Sequence, residues 1–303
     1  MTEVVSELRV GAWNALNAFG DEALDERRLF DAVAFVETMD ADVLAVPETA
    51  RHGLHDPVIE RQNLAQVQGL MAALGYEGVI TDYGEADGRN AHYLSLWSRV
   101  GSLLPCSREY GTRRGAYMQV RPLGLHVYGV HFDDRSPAKR ITSAKAIADD
   151  LGVTSQAIVL GDINEVYSDD PHGRLLRTLG RLGVSRIEVK EYYNSSKRLQ
   201  RTLGIAARLC RMTAGHALAV LRDAGFRDAD PARQPTFGRY PFKLQLDHLL
   251  GTSGLEFSAF TVHQPPTRFD GRPLSDHRGI TAMVRRSRPA PAPIRSVTAA
   301  RGK

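Results

Sequence analysis

The spacing of apolar and polar positions changes several times along the chain, and each change predicts an element. LRVGAWN (residues 8–14) reads as a strand. DERRLFDAVAFVETM (25–39) then sets Leu29, Val33 and Val36 at helical spacing. DVLAVPE (42–48) is a continuous apolar run ended by Pro47 and Glu48, which suits a strand buried on both faces. A second helix is expected over RQNLAQVQGLMAALG (61–75), stopped by Gly75. HYLSLWS (92–98) and LHVYGVH (125–131) predict strands. A helix follows over 136–152, with Ser136 as N-cap and Pro137 in the first helical position. AIVLGD (157–162) is a further buried strand, and strands return after residue 236 as LQLDHLL (244–250), LEFSAFTV (255–262) and RGITAMV (278–284). Such alternation, closed by strands, predicts an α/β (α+β) architecture of mixed sheets covered by helices, in one domain over 1–285. Residues 172–224 interrupt it with Arg-rich helical sequence, read as an insertion ending in an amphipathic helix over TAGHALAVLRDAG (213–225).

Charge adds a division that the net value hides. The chain carries +4 overall, yet residues 174–222 hold eleven Lys and Arg against two acids, Glu188 and Glu191. From Arg285 onward there are six basic residues and no acid. The remaining body is therefore acidic, suited to cations, and the two basic segments are suited to polyanions. The stretch 286–303, rich in Pro and Ala without apolar periodicity, is expected to be a disordered tail. Two cysteines, Cys106 and Cys210, make no disulfide framework and no zinc motif. No apolar run is long enough to span a membrane, no secretory signal is visible at the start, and a cytoplasmic location is expected.

The chemistry lies where the buried strands end. Asn14 closes the first, Glu48 the second, His131 the strand at 125–131, and Asp162 with Asn164 the strand at 157–162. Asp247 lies within LQLDHLL, and Asp276 with His277 opens the last strand. One Asn or Asp at a strand end is ordinary turn chemistry. Six strands that each present a polar group suggest a site at the sheet edge. Oxygen donors without cysteine favour a hard cation, Mg²⁺ or Mn²⁺, over zinc. Histidines beside such an ion suit phosphate binding and proton handling, and the combination describes phosphoester hydrolysis.

WNALN (13–17), Pro47-Glu48, VHF (130–132), GDIN (161–164), LDH (246–248) and SDHRG (275–279) together resemble the endonuclease/exonuclease/phosphatase superfamily. The motifs occur in order across nearly the whole chain. The resemblance implies a four-layer, deoxyribonuclease I-like sandwich of two mixed β-sheets flanked by helices. It implies Glu48 as the principal metal ligand, helped by Asn14 and Asp276. Asp162 would orient or deprotonate the attacking water, and Asn164 would position it. His277 would donate to a phosphate oxygen, His131 would contact the phosphate from the other side or assist the leaving group, and Asp247 would hold the His277 ring. Adjacent strand residues face opposite ways, so His248 is expected to pack away from the site that Asp247 enters.

Leu16 departs from the acidic residue that abasic-site endonucleases carry two positions after the motif Asn, which argues against that activity. His92 and His126 are read as core or sheet-face residues, His216 as structural, and His52 and His55 as loop residues. A nuclease acting on nucleic acid is narrowly favoured, with Arg113–Arg114 and the basic segment meeting phosphates. The alternative is a phosphatase or phosphodiesterase of a phospholipid or small phosphorylated metabolite, with Leu199, Leu203, Ile205 and Leu209 on a lid. A non-catalytic phosphate-binding scaffold is the remote alternative. No obligate protein partner is evident.

Overall fold

The computed structural model describes residues 6–19, 25–51, 57–83, 92–151, 156–167, 170–182, 206–207, 209–213, 216–239, 242–268 and 271–287. The tail from 288, His52, His55, and Leu199, Leu203 and Ile205 of the expected lid lie outside the described residues. Fourteen strands are seen among those described: β1 (Glu7–Ala12), β2 (Val43–Val46), β3 (Glu77–Asp82), β4 (Tyr93–Ser98), β5 (Ser102–Tyr110), β6 (Arg113–Val120), β7 (Leu125–His131), β8 (Ala157–Asp162), β9 (Phe226–Asp228), β10 (Phe237–Arg239), β11 (Phe242–Leu244), β12 (Asp247–Thr252), β13 (Leu255–His263) and β14 (Gly279–Arg286). The helices among them include α1 (Glu26–Met39), α2 (Pro57–Ala73), α3 (Pro137–Leu151), α4 (Pro171–Arg181) and α5 (Ala217–Asp223).

Two six-stranded sheets form, ordered β13-β14-β1-β2-β4-β3 and β5-β6-β7-β8-β12-β9, with β10 and β11 as a separate hairpin. Each sheet mixes one parallel pair, β1 with β2 or β7 with β8, into otherwise antiparallel neighbours. Period-two alternation decides which side chains meet between the sheets. Leu8, Val10 and Ala12 of β1, Val43 and Ala45 of β2, Val127 of β7, Ile158 and Leu160 of β8, and Leu249 of β12 share one central core. The opposite parity faces the helices. Leu44 and Val46 pack with Leu29, Phe35, Val67 and Met71, and Val159 and Leu250 pack with Ala144, Ile147, Ala217 and Leu221. The result is two mixed sheets between helical layers, a deoxyribonuclease I-like sandwich. No helix among the described residues is long and apolar enough to cross a membrane.

Several elements differ from the sequence expectation. β3, β5, β6, β9 and β10 were not anticipated. β6 opens with two arginines, and β5 carries Pro105 inside a register shift between Leu103 and Cys106, as an edge strand tolerates. LQLDHLL is divided, since β11 ends at Leu244 and β12 begins at Asp247. The helix expected from Thr213 begins four residues later. Thr213 Oγ1 is committed to the Cys210 carbonyl, while the Glu165 carboxylate accepts the amides of Ala217 and Leu218 at 3.1 and 3.3 Å. That helix, α5, packs with α3 in the outer layer.

Candidate active site

The inter-sheet face of each central strand is apolar until its last position. Ile158 and Leu160 continue to Asp162, Val127 to His131, and Leu8, Val10 and Ala12 to Asn14 two residues past β1. Asp247 sits at the start of β12 on the same face as Leu249. The ladders carry these residues into one row, with His131 opposite Asp162 and Asp162 opposite Asp247. Two carboxylates directly across an antiparallel pair repel one another, so the row needs positive charge between them.

Local backbone geometry brings in the rest. Parity would turn Glu48 away, but its φ of 50° swings the side chain back toward the row. Asn164 adopts a φ of 54°, letting its amide N–H reach Asp162 Oδ1 at 2.8 Å and its side chain the Phe132 carbonyl at 2.9 Å. Before them, Gly161 has a φ of 136°, and a Cβ there would sit 2.1 Å from the Val130 carbonyl oxygen, so only glycine fits. His277 enters from the turn before β14, where Ser275 Oγ donates to the Asn14 carbonyl at 2.7 Å and accepts the His277 amide at 3.0 Å.

Asn14 Nδ2 bridges two carboxylates, Asp162 Oδ2 at 3.1 Å and Glu48 Oε1 at 3.3 Å, while its oxygen accepts the Leu16 amide. His131 Nε2 lies 3.5 Å from Asp162 Oδ2 and 3.7 Å from Glu48 Oε1. His277 Nδ1 is 2.8 Å from Asp247 Oδ2, and its Nε2 is 3.8 Å from Asp162. Asp276 is half-buried and lines the same cavity of about 260 Å³. Burial pushes the Asp162 carboxyl up to about 7; the His277 charge opposes this and the Asp247 charge adds to it. For His277 burial favours the neutral ring, but Asp247 by charge and hydrogen bond, then Asp162, overcome it and raise the imidazole to about 10.

The donor set fits a hard cation. Asp162, Asp247 and His277 present ligand atoms within 4.8 Å of one another, and Asp247 Oδ1 is buried with no hydrogen-bond partner. His277 Nδ1 and Asp247 Oδ2 are already taken up by each other. Glu48 instead faces the cavity, and among the described residues its ion-pair neighbours are only His131 and His92. Carboxylate-rich, thiol-free sites of this kind suit oxygen-preferring divalent ions.

The two Asp-His pairs diverge. His248 faces the outer layer, with Nδ1 2.8 Å from Asp228 Oδ2 and Nε2 3.3 Å from the Glu165 carbonyl. Other expectations need correction. His92 is no core residue; it lines the cavity, with Nδ1 2.7 Å from Asn17 Oδ1. Arg113 and Arg114, expected to meet phosphates, already have partners within the protein, and Arg113 lines the cavity. Arg113 is buried and donates to the His131 and Phe132 carbonyls at 3.1 and 3.0 Å, and Arg114 pairs with Asp82 at 3.1 Å. Tyr83, Asn17 and Phe237 also line the cavity without having been singled out. Tyr83 directly follows β3 and Phe237 opens β10, but an aromatic residue beside a strand reads the same in sequence whether it packs in a core or lines a cavity.

Fold and site together describe a cavity lined by carboxylates and imidazoles at the strand ends of a two-sheet sandwich. A model of the Endonuclease/Exonuclease/phosphatase family matches residues 11–277, and the chain belongs to that family. No curated protein matches it. Among solved structures it is similar to an endonuclease/exonuclease/phosphatase from Beutenbergia cavernae, at 18% identity and a TM-score of 0.58, covering 93% of this chain and 72% of that one. It is similar to the 3′ phosphatase NExo from Neisseria bound to product DNA hairpin, at 15% identity and TM-score 0.55, covering 91% and 98%. It is also similar to a humanized D. rerio TDP2, at 15% identity and TM-score 0.54, covering 92% and 98%. These likenesses show the shared fold.

Proposed function

We propose that this cavity hydrolyses phosphoester bonds with a divalent cation, Mg²⁺ or Mn²⁺, and that its substrate is a nucleic acid phosphodiester. The observation that carries the reading is the convergence of five groups from five strands of two sheets: Glu48, His131 and His277 line one cavity, and Asp162 and Asp247 stand in register beside it, against His131 and His277. Glu48, with Asp276, would hold the cation; Asn14 would join them if its amide turned over, and as placed it aligns Glu48 with Asp162. The bound ion would supply charge against the phosphate oxygens. Asp162, raised toward neutrality, takes the proton of the attacking water, and Asn164 fixes its carboxylate through the backbone amide. His277, charged and held by Asp247, donates to a phosphate oxygen as negative charge accumulates. That NExo was captured with a DNA hairpin supports nucleic acid as the substrate class.

A second reading rests on the apolar wall. Leu16, Leu209, Met212, Phe237 and Leu246 line one side of the cavity, and Phe237 packs on His277 with ring centroids 5.0 Å apart. Such a wall suits an ester whose leaving group or chain is apolar, as on a phospholipid or small metabolite. A turnover screen with Mg²⁺ over single- and double-stranded DNA, RNA, sphingomyelin and soluble phosphomonoesters decides between them. Activity on any of these should vanish in EDTA and return with Mg²⁺ or Mn²⁺. Full turnover in chelator would remove the cation from the reading.

A further inference from the structure

Tyr83 directly follows β3 and is 2% exposed at the base of the cavity. Its hydroxyl oxygen has two neighbours, the Glu48 amide nitrogen at 3.0 Å and His131 Nδ1 at 2.5 Å. We infer that Tyr83 holds His131 in the tautomer protonated on Nε2, making His131 a fixed hydrogen-bond donor to a phosphate oxygen. The assignment of a phosphate to that donor rests on the phosphoester reading above; the tautomer does not.

The accounting is short. The Glu48 amide only donates, so it occupies a lone pair of the phenol oxygen. The phenol proton then has one acceptor among the described residues, His131 Nδ1. Aimed anywhere else it would be a buried O–H without a partner, a rare and costly state. At neutral pH a phenol keeps its proton. With Nδ1 accepting, the proton of the neutral ring sits on Nε2, the atom that faces Asp162 and Glu48 across the cavity.

The surroundings keep the ring in place. Tyr83 and His131 meet edge-on, with centroids 5.0 Å apart and planes at 73°. Arg113 stands 5.2 Å from the Tyr83 ring centre while donating to the His131 carbonyl. The two imidazoles of the site are thus connected differently. His277 has a carboxylate behind its Nδ1, and His131 has a phenol there. A neutral ring backed by a phenol offers a hydrogen bond and not a proton.

Long-range ¹H–¹⁵N spectra of the full chain at neutral pH test the tautomer, with His131 assigned by the signal lost in His131→Gln. A proton on Nε2 and a bare Nδ1 are expected. An Nδ1–H tautomer in the wild type overturns the inference, whatever the protein hydrolyses. In a folded Tyr83→Phe variant the two tautomers should mix, and an unchanged tautomer there removes Tyr83 from the account. Kinetics on bis(p-nitrophenyl) phosphate with Mg²⁺ test the donor. Gln places an N–H near the position of Nε2, so His131→Gln should stay within about tenfold of wild type, while His131→Asn, reaching only the Nδ1 position, should lose roughly 10²–10³-fold. Equal losses in the two overturn the donor role. An Nε2–H tautomer in a protein that turns over no phosphoester leaves the tautomer standing and overturns the donor role together with the proposed function.

Discussion

At the scale of single residues, the site separates groups that one composition would make alike. Asp162 and Asp247 face each other across a strand pair, yet they have different surroundings. The Asp162 carboxylate accepts from Asn14 and the Asn164 amide, whereas Asp247 donates its own amide to the Thr236 hydroxyl oxygen and holds the His277 ring with its side chain. Pushed up to about 7, Asp162 changes protonation near neutral pH. In the proposed mechanism Asp162 must be ionised and His277 charged. kcat/KM should therefore rise as pH passes through a value at or below about 7, a bound cation drawing it lower, and fall above about 10. Asp162→Asn keeps the shape but removes the proton acceptor, so kcat should drop by roughly 10²–10⁴ with the acid limb abolished. A variant that keeps both the rate and the limb would show that GDIN is only a turn. The Asp-Asn spacing of this motif was legible in the sequence. Tyr83 and His92 were not, because a Tyr or His beside a strand has no pattern that separates a cavity wall from a core.

At the scale of elements, β12 shows how a register makes two neighbours serve different ends. Asp247 enters the site, while His248 turns outward and ties β12 to Asp228 of β9 and to the Glu165 carbonyl. Tyr167 donates to the same Asp228 oxygen at 2.8 Å. Burial alone would lower the His248 imidazole, but the Asp228 hydrogen bond and charge prevail and raise it above 6.5. The folded state thus holds this proton more tightly than the unfolded chain does. That stabilisation is fully present below pH 6.5 and is lost as pH rises through the folded value. Urea unfolding across that range should show stability falling with pH, and His248→Gln should flatten the slope while leaving kcat within a few fold. A folded His248 variant without activity would contradict the outward register. Beside it, the fully buried Arg140 donates to the Asp133 and Arg211 carbonyls at 3.0 and 2.7 Å and approaches Glu165, which caps α5. These bonds join the turn after GDIN to the stretch bearing Leu209 and Met212, so the GDIN turn and the apolar wall are braced together.

At the scale of the whole molecule, charge and wall point to different substrates, and salt separates them. Binding of single-stranded DNA through phosphate contacts should weaken linearly in log affinity against log salt, with a slope of roughly 0.7 per contact. The basic sequence 174–222, Arg113 on the cavity wall and the exposed Arg114 are the candidate sources of such contacts. Measured by fluorescence anisotropy, a steep slope favours nucleic acid. A flat response, together with affinity for an amphipathic phosphoester, favours the apolar wall.

The sequence by itself determined the layers and the edge at which chemistry gathers. Apolar periodicity is written residue by residue, and a polar group closing an apolar strand breaks that period visibly, as at Asn14, His131 and Asp162. It also determined that Asp247 and His248 part company, because alternation along a strand is local. What only the tertiary structure decided were relations between strands distant in the chain. The ladder set Asp162 opposite Asp247, and a left-handed residue returned Glu48 to the row. A phenol from β3 arrived behind His131, and a glutamate after β8 moved the start of α5. Each depends on partners dozens of residues away, and a one-dimensional pattern carries no term for them.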